Sequence, residues 1–247
     1  MKKLIALLVT LMMLGTAAAL ADPVIVAFNP EYPPFESVDG DKYVGYDVEM
    51  IEAIADKAGL VIEFSAMDFD AVIAAVQSNT NTIGVSGISI TDERKLSVDF
   101  SDGYINAGLI VVIKKDSGYT TTNDLKGKII GVQMGTTSDF AAEDITGQSN
   151  VAQYKSFLNA IMDLQGNKVD AVIVDKPVGI AILNSLADES LEIVDMGLQA
   201  DWYGIEVNKE NPELLEKINK ALAELKDEGF FEQLEKAYFT DTGADAE

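Results

Sequence analysis

The chain of 247 residues contains neither cysteine nor histidine. Without thiols there is no disulfide framework, no thiolate nucleophile and no Cys/His zinc site. Without imidazole there is no Ser-His-Asp triad and no histidine acting as general base. Basic residues are scarce too: 18 Lys and Arg stand against 41 Asp and Glu, a net charge of −23. Nucleic acid or an anionic lipid surface would be repelled, and no local basic patch offsets the imbalance. Neither G-x-x-x-x-G-K-[ST] nor G-x-G-x-x-G occurs, so nucleotide binding finds no support and no cofactor is implied. What is present, 48% hydrophobic and 24% charged residues, is the composition of a globular chain with one or two cores.

Long apolar runs are rare, with one exception at the start. Lys2 and Lys3 precede an apolar stretch from Leu4 to Leu14, which gives way to small residues ending Ala19-Leu20-Ala21. That stretch is shorter than the ~20 residues that span a bilayer, and the A-x-A-like end before Asp22-Pro23 reads as a secretory signal peptide over residues 1–21. No cysteine stands at the cleavage site to carry a lipid, so the expected product is soluble and exported to the periplasm. Loss of Lys2 and Lys3 leaves it with 16 basic residues against 41 acids, a charge of −25.

Beyond this point strand and helix periodicities alternate, and they do so twice. The first round reads as strand Val24 to Phe28, helix Asp47 to Ala58 ended by Gly59, strand Val61 to Phe64, helix Asp70 to Gln77 and a strand around Ile83 to Ser86. The second reads as strand Lys128 to Val132, helix Ser138 to Asp144, strand Val151 to Tyr154, helix Leu158 to Leu164 and strand Val169 to Val174. Setting Gln77 on Gln165 places Phe69 on Phe157, Ile73 on Ile161, Val76 on Leu164, Asn79 on Asn167 and Gly87 on Asp175. This overlay favours an α/β protein of two similar βαβ-type lobes with a cleft between them. Ligands of open parallel sheets sit beyond the carboxyl ends of the strands, which directs attention to Asn29–Phe35, Gly87–Ser89, Gln133–Thr137 and Asp175.

Those segments carry unusual chemistry for loops. Tyr32 and Phe35 lie in a proline-stiffened turn where aromatic rings can wall a pocket, although a rigid half-buried turn would look the same. Thr91 can cap a helical turn whose third residue, Arg94, would clamp a carboxylate with parallel hydrogen bonds. Taken alone, Arg94 would equally suit a surface pair with Asp92 or Glu93. Gln133 to Thr137 joins a strand to a helix, so its amides and hydroxyls offer an anion site. Asp175 directly follows a strand and precedes Pro177, a place that also suits a helix cap. An anion clamp facing a carboxylate makes a receptor for a zwitterion, and an α-amino acid has that charge pattern. A carboxylate facing an ammonium group is also held in its ionised form. Asp39-Gly40-Asp41 lacks the spacing of a calcium loop and reads as a hairpin turn.

Tyr32-Pro33-Pro34-Phe35-Glu36, Gly45-Tyr46-Asp47-Val48, Ser89 to Arg94 with Asp99-Phe100-Ser101, Leu125-Lys126-Gly127, Gly135-Thr136-Thr137 and Val169 to Asp175 occur in an order and spacing that resembles the polar amino-acid substrate-binding proteins of bacterial ABC importers. This is solute-binding protein family 3, with the type II periplasmic binding protein fold. Tyr203-Gly204-Ile205, Asn211 to Lys220 and Lys236 to Phe239 extend the likeness to the closing segment, so it covers essentially the whole chain after residue 21.

The resemblance implies that Arg94 grips a ligand carboxylate, helped by Ser89 and the Thr137 amide, while Asp175 and the Gly87 carbonyl take the ammonium group. Tyr32 and Phe69 would sandwich the side chain, and Asn29 and Gln133 would line its far end. Thr82 stands where the family usually has Asp, at a structural position. A neutral amide at Asn29, where members for basic amino acids often carry an acid, favours glutamine over arginine and lysine, although Glu31 and Asp68 lie near the mouth. The implied architecture joins lobe 1 (22–107 and 205–247) to lobe 2 (108–204) by strands crossing near Asn106–Leu109 and Trp202–Ile205. The implied partners are a small amino acid and a membrane permease, with the protein itself a monomer. The same scaffold also resembles periplasmic cyclohexadienyl dehydratases, and a sensory module is a further alternative. Asp175 beside Gly87 and Arg94 suits amino-acid binding rather than a general acid.

Overall fold

Runs rich in valine and isoleucine become the inner strands, because β-branched side chains fit a pleated sheet covered on both faces. The computed structural model describes residues 22–239, and the signal-peptide expectation for residues 1–21 lies outside them. It begins with β1 (Val24–Phe28), the hairpin β2 (Ser37–Asp39) and β3 (Lys42–Val44), α1 (Tyr46–Ala58), β4 (Ile62–Ala66), α2 (Phe69–Ser78) and β5 (Thr82–Gly84). One helical turn, α3 (Asp92–Lys95), and β6 (Asp99–Phe100) lead to the long β7 (Ile105–Lys114). The second round follows as β8 (Ile130–Gln133), α4 (Thr137–Thr146), β9 (Val151–Tyr154), α5 (Phe157–Gln165) and β10 (Ala171–Asp175). The chain then runs through α6 (Lys176–Leu186), β11 (Leu191–Val194), β12 (Ala200–Tyr203), β13 (Glu206–Val207), α7 (Pro212–Asp227) and α8 (Phe230–Phe239).

One sheet has the order β4-β1-β5-β13-β6, with β1 parallel to β4 and β5. The other has the order β11-β7-β10-β8-β9, with β8 parallel to β9 and β10. Each round therefore places its first strand between its second and third, as two copies of one βαβαβ unit must. The gapless overlay is visible in the helices, since Phe69 opens α2 and Phe157 opens α5. Helix α1 buries Val48, Ile51, Ile54 and Ala55, the stripe its periodicity predicts. Its far side is closed by α7, whose Leu214, Ile218 and Leu222 join the same core as Met50 and Ile54. Each such fully buried side chain contributes about 1.5–3 kcal/mol.

Two features differ from the expectation. The strand placed at Ile83 to Ser86 ends at Gly84, because Gly87 takes a φ of 54° and turns the chain toward the cleft. Strands β6, β7, β11, β12 and β13 stand outside the periodic reading. Of these, β7 is buried continuously from Leu109 to Ile113 and shows no alternation, and β6 and β13 are two residues each. The segments expected to cross lie in one antiparallel pair, with Ile105 opposite Tyr203 and Gly108 opposite Ala200. Asp39-Gly40-Asp41 sits in the β2–β3 hairpin, with Asp39 opposite Lys42. Among the described residues no helix is long and apolar enough to cross a membrane.

Candidate ligand-binding site

The carboxyl ends of β1, β5, β8 and β10 converge, as the overlay of the two rounds requires. Tyr32, Phe69, Gly87, Ser89, Arg94, Thr136, Thr137 and Asp175 enclose a cavity of about 10 Å³, on the scale of a single water. Seven of the nine expected positions line that cavity, and the remaining two, Asn29 and Gln133, bond to each other at 3.2 Å. Thr136 is an addition that the sequence reading did not single out.

At one pole sits Asp175. It holds the N-cap place of α6 but makes no side-chain cap bond. Its carboxylate instead accepts the Tyr32 hydroxyl at 2.5 Å and the Tyr203 hydroxyl at 2.6 Å, and the two phenol oxygens lie 2.9 Å apart. Burial pushes the Asp175 carboxyl up, against the pull of Tyr203, Tyr32 and Arg94 toward ionisation. In this conformation desolvation therefore works against the permanently ionised Asp175 expected from sequence, and an ammonium partner would have to supply the difference. Gly87 is fixed by its surroundings: at φ 54° an added Cβ would lie 2.5 Å from Tyr32 Cε1.

Arg94 forms the other pole. Thr91 caps the short α3 by accepting the Arg94 N–H at 3.2 Å. The guanidinium donates to the Ser89 carbonyl at 2.8 Å and, across the cleft, to the Gly135 carbonyl at 3.0 Å, while its carbon lies 5.6 Å from the centre of the Phe69 ring. It pairs with neither Asp92 nor Glu93; Asp92 faces Lys95 at 3.8 Å. Desolvation lowers the Arg94 pKa, and the charges of Glu206 and Asp175 oppose that shift. Ser89 Oγ and Thr137 Oγ1 are 3.4 Å apart, linking the two sides beside the guanidinium. At the start of α4, one amide of the segment expected to serve an anion is used locally, since Gly135 N–H donates to Asp139, and the Thr136 hydroxyl of the same segment accepts the Asp139 N–H.

Asn29 and Gln133 lie outside the residues that enclose the cavity. Asn29 donates its amide to the Met67 carbonyl at 3.0 Å and presents Oδ1 to Gln133, whose Nε2 also reaches the Lys155 carbonyl at 2.8 Å. Gln133 Oε1 is buried with no partner. Nearby, Lys155 Nζ lies 2.9 Å from Asp68 and 3.1 Å from Asp70. Tyr203 and Lys155 were not among the expected site residues. Tyr203 comes from β12, which belongs to neither repeat, so the overlay had no counterpart to flag. Lys155 had only the acidic cluster opposite it as a signal.

A cation and a carboxylate facing one small cavity, with aromatic rings beside them, suit a zwitterion. Comparison with known proteins agrees in family. The model of bacterial extracellular solute-binding proteins, family 3, matches residues 24–241. The arginine-binding extracellular protein ArtP of Bacillus subtilis (strain 168) is 36% identical over 219 residues, covering 87% of this chain and 86% of that protein. An ancestral arginine-binding protein, 38% identical in both structures, superposes with a TM-score of 0.84 when bound to arginine and 0.81 when bound to glutamine. The first of these covers 89% of this chain and 99% of the other, the second 88% and 97%. An ancestral amino-acid-binding protein described as a precursor of cyclohexadienyl dehydratase is 31% identical, covers 88% of this chain and 96% of its own, and has a TM-score of 0.80. With the family model spanning nearly all described residues, this chain belongs to the bacterial extracellular solute-binding proteins of family 3 and has the two-lobed type II periplasmic binding protein fold.

Proposed function

We propose that this protein is an exported, monomeric receptor that captures a polar L-amino acid between its lobes and delivers it to the permease of an ABC importer. The lobes would be 22–107 with 205–247 and 108–204, meeting at the β7–β12 pair. The observation that carries the reading is the opposition of Arg94 and Asp175 across one cavity, the spacing logic of an α-carboxylate and an α-ammonium group. Ser89 and the Thr137 amide assist the first, and the Gly87 carbonyl the second. Tyr32 and Phe69 flank the side chain, while Asn29 and Gln133 face its end. A cavity the size of one water cannot take an amino acid, so entry requires the lobes to part and closure to follow binding.

For the ligand itself, the acceptors at the far end shift the balance. An unpartnered Gln133 Oε1, Asn29 Oδ1 and the Asp68–Asp70 pair suit a side chain that only donates, which places arginine ahead of glutamine and lysine. Arginine binding by the relatives supports the same order. Glutamine is the second reading, favoured by the neutral Asn29–Gln133 pair, which could turn to meet another amide, and by the relative solved with it. Asp175 acts here as a binding partner and not as a proton donor. Thermal shift with each of the twenty amino acids tests the proposal, since a ligand at a hundred times its Kd adds about 2.7 kcal/mol. Arginine, glutamine or lysine should give the largest shift and return unchanged by mass. A response to a sugar alone, a preference for glutamate, or dehydrated ligand after release would overturn it.

A further inference from the structure

Behind the Gly87 turn lie two buried carboxyl groups that the binding scheme leaves unused. Glu36 and Asp47 are 0% and 1% exposed. Glu36 Oε1 accepts the Ser86 hydroxyl at 2.5 Å, and Ser86 Oγ in turn accepts the Asn29 N–H at 3.0 Å. Asp47 Oδ2 accepts both the Gly87 N–H and the Tyr104 hydroxyl at 2.8 Å. All of these donors are neutral. The two remaining oxygens, Glu36 Oε2 and Asp47 Oδ1, are buried with no donor, and each carboxyl group bears on the ionisation of the other. No other donor reaches either oxygen, so a proton on one carboxyl group offered to the other would satisfy both, whereas two neighbouring buried like charges are prohibitive.

We propose that Glu36 and Asp47 share one proton and serve as positioning residues, tying the Ser86–Gly87 turn to Tyr104 and placing the Asp47 charge behind the ammonium pole of the site. The inference rests on the amino-acid reading above. Four elements converge on the pair: the end of β1 through Asn29, the turn after β5, the first turn of α1, and Tyr104, which also donates its N–H to the Tyr203 carbonyl beside the β7–β12 pair. Asp47 sits at the second position of α1, where the helix dipole favours a negative charge. Burial pushes Glu36 well above the usual carboxylate range, so it keeps the proton. Burial also raises Asp47, to about 7, while Gly87, Tyr104 and Glu36 hold it down.

The groups around the pair leave Asp47 to titrate near neutrality. Tyr32, Tyr46, Tyr104 and Tyr203 are all pushed up by burial and stay neutral there, with Glu232 and Glu235 of α8 acting on Tyr46 from the outer side. The chain has no histidine. Glu206, raised to about 7, is the other candidate, and it acts on Arg94 at the opposite pole. An ammonium group bound at Gly87 favours ionised Asp47 and lowers its pKa, so binding releases a proton and affinity increases with pH. A lowering of about one unit makes the increase about tenfold.

The test is calorimetric titration of the full exported protein with L-arginine and L-glutamine from pH 6 to 8, for wild type, Asp47→Asn, Glu36→Gln and Glu206→Gln. Wild type should bind about fivefold more tightly at pH 8 than at pH 6, the part of the full tenfold that falls within this window, and release protons on binding. Asp47→Asn retains acceptors for Gly87 and Tyr104 and donates to Glu36, but its profile should be flat. Infrared difference spectra should show a protonated carboxyl band in wild type that Glu36→Gln removes. The proposal is overturned if Asp47→Asn keeps the wild-type pH profile, if the increase disappears in Glu206→Gln, or if no protonated carboxyl is seen. Should Asp47→Asn fail to fold, the Glu36→Gln spectrum and profile decide. If wild type binds no amino acid at all, the functional reading falls and the positioning role with it, while the infrared band still decides whether the proton is shared.

Discussion

Replacing Arg94 with alanine removes the cationic pole of the cavity, and the structure sets the size of the effect. A guanidinium has five N–H donors, and here one goes to Ser89 and one to Gly135. The others remain for a ligand carboxylate, against which a planar fork makes two parallel bonds. Truncating one partner of a desolvated charge pair costs about 2–5 kcal/mol, or about 30-fold to several thousandfold in affinity. The lower half of that range is expected for Arg94→Ala, because the bond to the Gly135 carbonyl also holds the two sides together without ligand. The variant gives up stabilisation in both states, and the lost cross-cleft bond cancels part of the difference. Lysine should rescue only part of the affinity, since a single ammonium cannot reproduce the fork. Calorimetric titration of wild type, Arg94→Ala and Arg94→Lys with the same amino acid measures this directly. Binding by Arg94→Ala within twofold of wild type would show that the carboxylate lies elsewhere.

Asp175→Asn keeps the shape of the opposite pole but not its charge, so affinity should fall by about tenfold to 150-fold, equivalent to 1.5–3 kcal/mol, with melting still cooperative; an unchanged Kd would remove the ammonium from this pole. Glu206 is buried without a hydrogen bond and fits only because residue 84 is glycine, where a Cβ would lie 2.6 Å from Glu206 Oε2. Burial raises its pKa from 4.5 to about 7, so the protonated folded form contributes stability at pH 4 that is lost as pH climbs through about 7. The shift corresponds to an upper bound of about 3 kcal/mol. Melting curves of Glu206→Gln and wild type should therefore diverge in the variant's favour between pH 5 and pH 8, and parallel curves would refute the assignment.

Much of this was legible because the repeat is legible. Strands and helices that recur with the same offsets must place equivalent strand ends side by side, which is how Gly87 and Asp175, matched in the overlay, come to line one cavity. Arg94 was visible through its cap, since Thr91 starts a helical turn at a fixed distance from it. Tyr203 was hidden for a physical reason. Its strand is four residues long, lies outside both repeats and is defined by pairing with β7, a partner nearly a hundred residues away in sequence. The Glu36–Asp47 pairing spans only eleven residues but is just as hidden: a loop residue lies beside the first turn of a helix, and neither position departs from what a solvated acid would look like in sequence. Charge in the sequence is a weak guide to burial unless the neighbours that remove water are known.

The same polar groups that would hold a ligand already have partners in this conformation, and that bears on how selective such a site can be. Asp175 already accepts from two hydroxyls and Arg94 already donates to two carbonyls, so binding would exchange part of these internal hydrogen bonds for ligand bonds and would not rescue bare charges. Affinity is then the difference between two satisfied states, small in comparison with either. A ligand that matches only one pole has to leave the other with the partners it has, while its bulk keeps the lobes apart and breaks the Gly135 and Asn29–Gln133 contacts. A zwitterion with a polar tail replaces all three sets at once. On the proposed reading, selection for the α-amino-acid frame would follow from closure itself, whereas choice of side chain would be left to unsatisfied acceptors such as Gln133 Oε1.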